Sequence, residues 1–555
     1  MTRCLGPQHR GGRAMDNQRF FLFIALSLVI LLLWQAWERE QAPPVVPNPA
    51  AVTRDVPQTP PPPAGANSPG TPANETLESA GRIQITTDLL RAQIDTLGGD
   101  LRTLYLLKYP VRVEEPGTPF QLLNDNGAEL FITQSGLIGN DDSYPNHKSL
   151  YSAEHHEYRL GDGQEQLQVR LDWSKGGLRV AKIYTFHRHS YVVDLDYVIE
   201  NRANKPRNPY LYAQFLRSHH AETSYFSGAI SYVGGAVYSP EKKYQKVTLT
   251  EMAQKHRQEN VTDGWVAMLQ HYFVAAWLPP EKSPTQVYTD AQETTRYVLG
   301  YKNLTPAHIN PGAVGRLNTR LYLGPKDQDQ LEKIAPGLVL TVDYGWLTVI
   351  AAPLYWVLER IHQAIGNWGW AIVILTVLIK LAFYPLSATS YKSMANMRRL
   401  QPRLMSLKER YGEDRQRMHQ ATMELYKTEK LNPLGGCLPI VVQIPVFIAL
   451  YWVLLESVEL RQAPFALWIR DLSTPDPYFV LPIVMGITMA AQQMLNPSPL
   501  DPIQKKVMMA LPFVFTVFFL FFPAGLVLYW VVNNALSIAQ QWWITRTIES
   551  QAKPS

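Results

Sequence analysis

Lys380 is the residue from which the chain can be read. It stands in WGWAIVILTVLIKLAFYPL, Trp368 to Leu386, a stretch apolar enough to cross a membrane but for this one charge. A helix entering near Asn367 places Lys380 about 13 residues in, roughly 20 Å along the axis. That depth falls inside the ~30 Å apolar slab, nearer its far side. An ammonium group there costs about 2.5–3.5 kcal/mol on insertion scales. Either its long stem reaches the nearer interface, or polar groups and water solvate it where it stands. Thr376 sits one turn earlier on the same face, which favours a polar stripe turned toward other helices or water.

Further polar residues interrupt the apolar runs that follow: Gln443, the pair Gln492 and Gln493, and Asn533, Ser537 and Gln540. The last three fall four and three apart, so a helix gathers them into one stripe. Singly, such side chains can act as glue between helices, at about 0.6 kcal/mol each. A charge combined with a stripe points instead to a water-filled cavity within a bundle. No Asp or Glu lies deep in these runs, which argues against a proton relay and against a protease with paired aspartates. A cation in a polar cleft could draw an acidic, hydrophilic polypeptide segment into the inner half of a bilayer. The apolar path left to cross would then be shorter.

Other chemistry-bearing patterns are scarce. The two cysteines, Cys4 and Cys437, are too few for a disulfide framework or a thiolate metal site. His155–His156, His219–His220, His187 and His189 lack a third ligand at a recognisable spacing and read as solvated sheet histidines. There is no GxSxG elbow, HExxH helix or phosphate loop. No catalytic residue, metal or cofactor is expected.

The elements that must position Lys380 follow from composition. The 555 residues leave room for several domains. Residues 1–19 carry Arg3, Arg10, Arg13 and Arg19, and 20–37 is an uncharged run about one bilayer crossing long. Its flank, WQAWERE, offers no small-x-small cleavage site, so it reads as a retained anchor. Met15 begins MDNQRFFLFIAL, a plausible start. Residues 38–81, with Pro60 to Pro63, form an extended Pro-rich tether. Residues 82–340 alternate with period two, as in YVVDLDYVIE, and predict a large antiparallel β-sandwich. Near its end QDQLEKIAP predicts a short helix. Residues 343–366 place apolar side chains three or four apart, with Trp346 and Trp356 among them. This predicts an amphipathic helix lying in the membrane surface, with a core helix of the sandwich domain as the alternative.

The second span, 367–386, is followed by 387–431. That segment has ten Lys or Arg against five acids and is divided at Gly412 into a helical hairpin. Its charge suits anionic lipid or ribosomal RNA and does not choose between them. A third span, 434–457, carries Gly435, Gly436, Pro439 and Pro445, and an acidic loop follows at 458–477. The fourth span is 478–495, a connector with Lys505 and Lys506 occupies 496–506, and the fifth span is 507–522. After the turn Pro523–Gly525 comes the sixth, 526–544, and a tail, 545–555. The positive-inside rule puts both termini, the hairpin and the lysine pair in the cytoplasm, with the sandwich and the acidic loop outside.

The stretches DYGW (343–346), GNWGWAIVILTVLIKLAFYPL, MRRLQP (397–402), LNPLGGCLPIVVQIPVF and SVELRQAPFALWIRDLS are similar to those of the YidC membrane-protein insertases of Gram-negative bacteria. The resemblance runs from Met15 to about Arg546; it is most specific in 343–545, and LYLGPK (321–326) marks it in the sandwich. It implies a multidomain protein of the bacterial inner membrane. A five-helix transmembrane insertase core would enclose a hydrophilic groove open to cytoplasm and lipid but closed outside. An N-terminal anchor helix, a large periplasmic antiparallel β-sandwich and a cytoplasmic helical hairpin would complete it. By position, Thr376, Lys380, Gln443, Asn533 and Ser537 would line the groove. Ile444, Pro445, Phe447, Phe518, Tyr529 and Trp530 would meet the client's apolar segment. Implied partners are nascent membrane proteins, the Sec translocon, anionic lipids, and ribosome and targeting factors at 387–431, with no DNA, nucleotide or metal. The family pattern carries Arg where this chain has Lys380 and Tyr where it has Trp530. Lysine keeps the charge but loses the planar fork that grips a carboxylate bidentately. A solute channel or transporter is the alternative, but it calls for repeated halves, and no internal repeat occurs. The sandwich could also be a carbohydrate-binding or sugar-processing module, which would need a cleft with paired carboxylates or exposed aromatics.

Overall fold

The computed structural model describes residues 77–551 except 127–128, 141–142, 219–231, 293–294, 412–413, 430–437 and 496–501. The expected anchor at 20–37 and nearly all of the tether lie outside the described residues. So do His219, His220, Gly412, Gly435 and Gly436.

Residues 82–325 form one nine-stranded and two five-stranded sheets. Alternation along a strand sends successive side chains to opposite faces. In strand Val192–Asn201 this buries Val193, Leu195, Tyr197 and Ile199 completely and leaves Asp194, Asp196 and Glu200 part-exposed on the other face. The strand pairs antiparallel with Leu178–His187 and Val314–Pro325. One pairing departs from the expected antiparallel pattern, since Gln84–Thr86 runs parallel to Glu157–Arg159. A parallel neighbour cannot be reached by a tight hairpin, and here strands from two other sheets intervene in sequence. Of the histidines, His187 pairs with Asp194 at 2.7 Å and His189 with Asp88 at 2.8 Å.

Two short helices belong to this domain. Helix α1, Leu249–Gln254, starts from a capping box between Thr248 and Glu251, and α2, Gln328–Ile334, is capped by Asp327. The C-terminal half is helical: α3 Thr348–Ile365, α4 Trp368–Ala382, α5 Tyr384–Tyr411, α6 Arg415–Thr428, α7 Leu438–Glu456, α8 Val480–Leu495, α9 Pro502–Phe519 and α10 Ala524–Gln551. Helix α10 packs against α4, α5, α7 and α8, while α3 lies against α4 and α7, and α9 against α8.

The expected second span is shorter than its apolar run. Asn367 caps α4 by accepting the Trp370 N–H at 3.0 Å, and the helix ends at Ala382, with α5 leaving at 67°. Pro385 explains the break, because its ring has no N–H to give the previous turn and collides with the carbonyl four residues back. The first arm of the basic hairpin therefore begins at Tyr384, and Lys380 occupies the last turn of α4 rather than its interior. Among the described residues no single helix is long and apolar enough to cross a membrane alone; α4 and α5 pass together as a bent pair.

Candidate functional site

Lys380 is 4% exposed, and its ammonium donates to Ser537 Oγ on α10 at 2.7 Å. The Ser537 hydroxyl donates in turn to the Asn533 carbonyl at 2.7 Å, the back-bond of a helical serine to residue i−4. Thr376 is buried one turn from Lys380 and is spent in the same way on the Ile372 carbonyl. An ammonium group has three protons to donate, and Ser537 is its one hydrogen-bond acceptor among the described residues. The last turn of α4 also directs carbonyl dipoles toward it, which favours a cation there.

The break at Phe383 turns α5 back toward this cluster. Ser387 and Ser390 are buried, and the Tyr391 hydroxyl stands beside Ser537. Sequence reasoning missed all three because it ended the apolar helix at Leu386 and treated what followed as a separate hairpin. Their offsets of seven, ten and eleven from Lys380 are helical and were available as a signal. It also chose Asn533 over its neighbour: Asn533 enters through its backbone, whereas the buried Asn534 side chain reaches Thr488 on α8 at 3.3 Å. Gln541 likewise donates to the Leu495 carbonyl at 3.1 Å. Gln443, on α7, is half-buried and is not brought into hydrogen-bonding contact with Lys380.

Seven residues before Ser537, about 10 Å up the same helix, the lining becomes aromatic. Trp530 meets Phe447 of α7 edge-on at 4.8 Å and Phe519 of α9 at 5.8 Å. Tyr529 stacks on Phe447 at 6.0 Å, and Phe518 joins through Phe522 at 4.7 Å. The Trp530 indole N–H is enclosed without an acceptor among the described residues. Ile444 is 48% exposed and Phe518 53%, and Pro445, which follows Ile444 in the chain, is half-buried. One face of α10 thus carries a ladder, aromatic toward its N-terminus and polar toward its C-terminus.

Loop 457–479 closes the aromatic end. Asn367 Nδ2 donates to the Phe465 carbonyl at 3.0 Å, and the Ala524 and Gly525 N–H groups donate to Thr474 and Leu472 at 2.8 and 2.9 Å. Asp476 accepts from Trp468 Nε1 at 2.9 Å and from the Leu481 N–H at 2.7 Å. The loop also binds the sheet domain. Arg461 Nη2 and Gln462 Nε2 both donate to the Pro110 carbonyl, at 2.6 and 2.8 Å. His271 meets the Leu455 carbonyl at 3.0 Å, and Lys326 faces Glu456 at 3.9 Å. Burial lowers the Lys326 ammonium to about 8 and raises the Glu459 carboxyl to about 7.

Two family models match the chain: the YidC periplasmic domain over residues 82–357 and the 60Kd inner membrane protein over 360–551. A protein of Alkalilimnicola ehrlichii named membrane protein insertase YidC is 50% identical over 97% of this chain and 96% of its own length. This chain belongs to the YidC family. A second YidC relative, from Methylococcus capsulatus, is 52% identical over 96% of this chain and 99% of its own. The crystal structure of an active YidC insertase with its first transmembrane domain resolved aligns with 83% of this chain and 92% of that one. It does so at 19% identity and a TM-score of 0.39. The boundary between the two family models falls within α3, where the sheet domain hands over to the bundle.

Proposed function

We propose that this protein is an inner-membrane insertase and chaperone that takes hydrophilic client segments onto Lys380 and releases apolar segments into lipid past the aromatic end of the α10 ladder. The observation that carries the reading is the incompletely satisfied ammonium of Lys380, held by Ser537 among Thr376, Ser387, Ser390 and Tyr391. It attracts an acidic segment without gripping it, as befits a station on a path.

Helices α4 and α7 to α10 form the five-helix core, α5 and α6 the cytoplasmic hairpin that receives nascent chains, and α3 lies in the outer membrane surface. The sheet domain is periplasmic, and loop 457–479 closes the bundle on that side. Helix α4 is only 15 residues long, about 22 Å, so the apolar layer beside it is thinner than the ~30 Å of an unperturbed bilayer. Ile444, Pro445, Phe447, Phe518, Tyr529 and Trp530 meet the client as it moves sideways. Insertion needs no chemical step, since the client's transfer into lipid supplies the free energy. Exchange with the Sec translocon and delivery by ribosome and targeting factors belong to the same reading.

The test is site-specific crosslinking from position 445 or 530 to a ribosome-bound nascent membrane protein, with Lys380→Ala and Lys380→Arg compared. Loss of insertion of clients with acidic translocated segments in the alanine variant, and its retention in the arginine variant, is expected. Equal activity of the alanine variant would refute the charge mechanism.

A further inference from the structure

We propose that a cationic cleft in the sheet domain binds the phosphate of an anionic phospholipid headgroup in the extracytoplasmic leaflet. The cleft has a volume of about 500 Å³. It opens between strand Lys243–Val247, at one edge of the nine-stranded sheet, and Gln258–Thr262, at the edge of a five-stranded sheet, beside α1.

Lys242, Lys246, Lys255 and Arg257 line it against two acids, Glu251 and Glu259. Both carboxylates are engaged, Glu259 by two of the cleft's own cations; with Lys246 on Asp343, Lys255 is the cation left without a carboxylate partner among the described residues. Glu259 is shared by Lys242 and Arg257, each at 2.6 Å, and Glu251 accepts the Thr248 N–H at 2.7 Å in the α1 capping box. Lysines on edge strands can serve simply to keep sheets from pairing with one another. That role calls for charges turned outward along the edges, whereas these four converge on one cavity.

The placement identifies the ligand. Lys246 pairs with Asp343, and its charge also acts on Glu456, the last residue of α7. Three residues after Asp343 comes Trp346, 82% exposed, and then Val349, 85% exposed at the start of α3. Three residues span at most ~11 Å, and the headgroup zone on each side of a bilayer is about 5–8 Å deep. The rim of the cleft therefore stands at the depth of lipid phosphates, with an exposed indole beside it suited to the same zone. This inference rests on the sheet domain lying outside the membrane.

The full-length protein is placed in phosphatidylcholine nanodiscs containing about one third phosphatidylglycerol, an anionic lipid. A photoactivatable phosphatidylglycerol with its reactive group at the headgroup serves as the probe. Crosslinks to residues 242–259 are expected, falling about fivefold for each charge removed in Lys242→Gln and Lys255→Gln. The matching phosphatidylcholine probe should give none above background. Equal crosslinking by both probes would overturn the proposal, as would loss of crosslinks to inorganic phosphate, which would assign the cleft to a small soluble anion. A cysteine introduced as Val314→Cys and challenged in cells with a membrane-impermeant maleimide separates the two readings. Labelling only after the cytoplasm is opened sinks the orientation, whereas outside labelling without lipid crosslinks sinks the headgroup site alone.

Discussion

Lys182 and Lys380 both lie out of water, and they are solvated in opposite ways. Lys182, in the sheet domain, is fully buried; it donates to the Gly98 carbonyl at 2.9 Å and the Ser135 carbonyl at 3.3 Å, and faces Asp100 at 3.5 Å. The rings of Tyr151, Tyr184 and Tyr197 surround it at 5.6–5.8 Å. Its donors are used up, as a structural charge requires. Lys380, with its one acceptor, is not saturated. Lys182→Met leaves Asp100 buried without its counter-ion, so a loss of about 3–5 kcal/mol is expected, seen as a lower melting temperature with unchanged insertion per folded molecule. Lys380→Met should do the reverse, keeping or raising the melting temperature while insertion of acidic clients falls. If the two variants lose insertion in proportion to stability, the distinction fails. The Lys182–Asp100 pair also predicts a pH profile. Burial raises Asp100 to about 6 and lowers Lys182 to about 8. Between about pH 4 and 6 the folded state keeps a proton that the unfolded state releases, so stability falls as pH rises. From about pH 8 to 10 the unfolded state holds the extra proton and stability rises. The pair thus makes its smallest contribution between those windows, and the double variant Asp100→Leu with Lys182→Met should flatten the unfolding midpoints measured across both.

At the scale of elements, α4 shows what local sequence carries and what it does not. Period-two alternation in the strands was legible, because which face a residue takes depends only on its neighbours along the chain. The Asn367 cap and the apolar run of α4 were legible for the same reason. Its end was not, since Pro385 had to outweigh an apolar pattern that runs on to Leu386. With that end misplaced, Ser387, Ser390 and Tyr391 were lost from the site. At the N-terminal end of α4 a close approach adds to the cap, and no local pattern announces it. A Cβ built on Gly369 would lie 2.0 Å from Phe465 Cδ2, while Phe465 packs edge-on against Trp370 at 5.4 Å. Gly369→Val should therefore separate α4 from loop 457–479 and cost about 1–3 kcal/mol, as overpacking does. Adding Phe465→Ala should recover part of that loss. A melting series on the two single variants and the double variant checks this coupling. Strict additivity would mean that the contact does not hold the helix end.

At the scale of the whole molecule, the charge distribution foretold a division into basic and acidic sides, but nothing in it announced that the acidic loop is welded to the sheet domain. The bonds that do so join residues some 350 positions apart, such as Arg461 and Pro110, beyond the reach of any local pattern. Within this junction Glu459 is the residue most open to test. Its Oε2 is enclosed without a hydrogen-bond partner among the described residues. Around it stand the Tyr355 hydroxyl of α3, the Asp327 carboxylate and Gln328 N–H at the start of α2, and, farther off, Tyr109 and Tyr344. Burial is the largest cause of its rise to about 7, and Glu359 of α3 is raised in the same direction by burial and then by Asp329. A carboxyl raised on folding stabilises the folded state below its unfolded value, and that contribution is lost as pH rises through the folded one. The junction should therefore be tightest at about pH 4 and loosen by about pH 8. Glu459→Gln keeps the side chain neutral at both. Asp100 titrates partly in the same window, so the measurement that isolates the junction is local: hydrogen exchange of the amides in 457–476, in the full chain, for wild type and variant. Faster exchange at the higher pH in the wild type than in Glu459→Gln, once corrected for intrinsic rates, is expected. Indistinguishable protection in the two proteins would show that the sheet domain holds the loop without help from this proton.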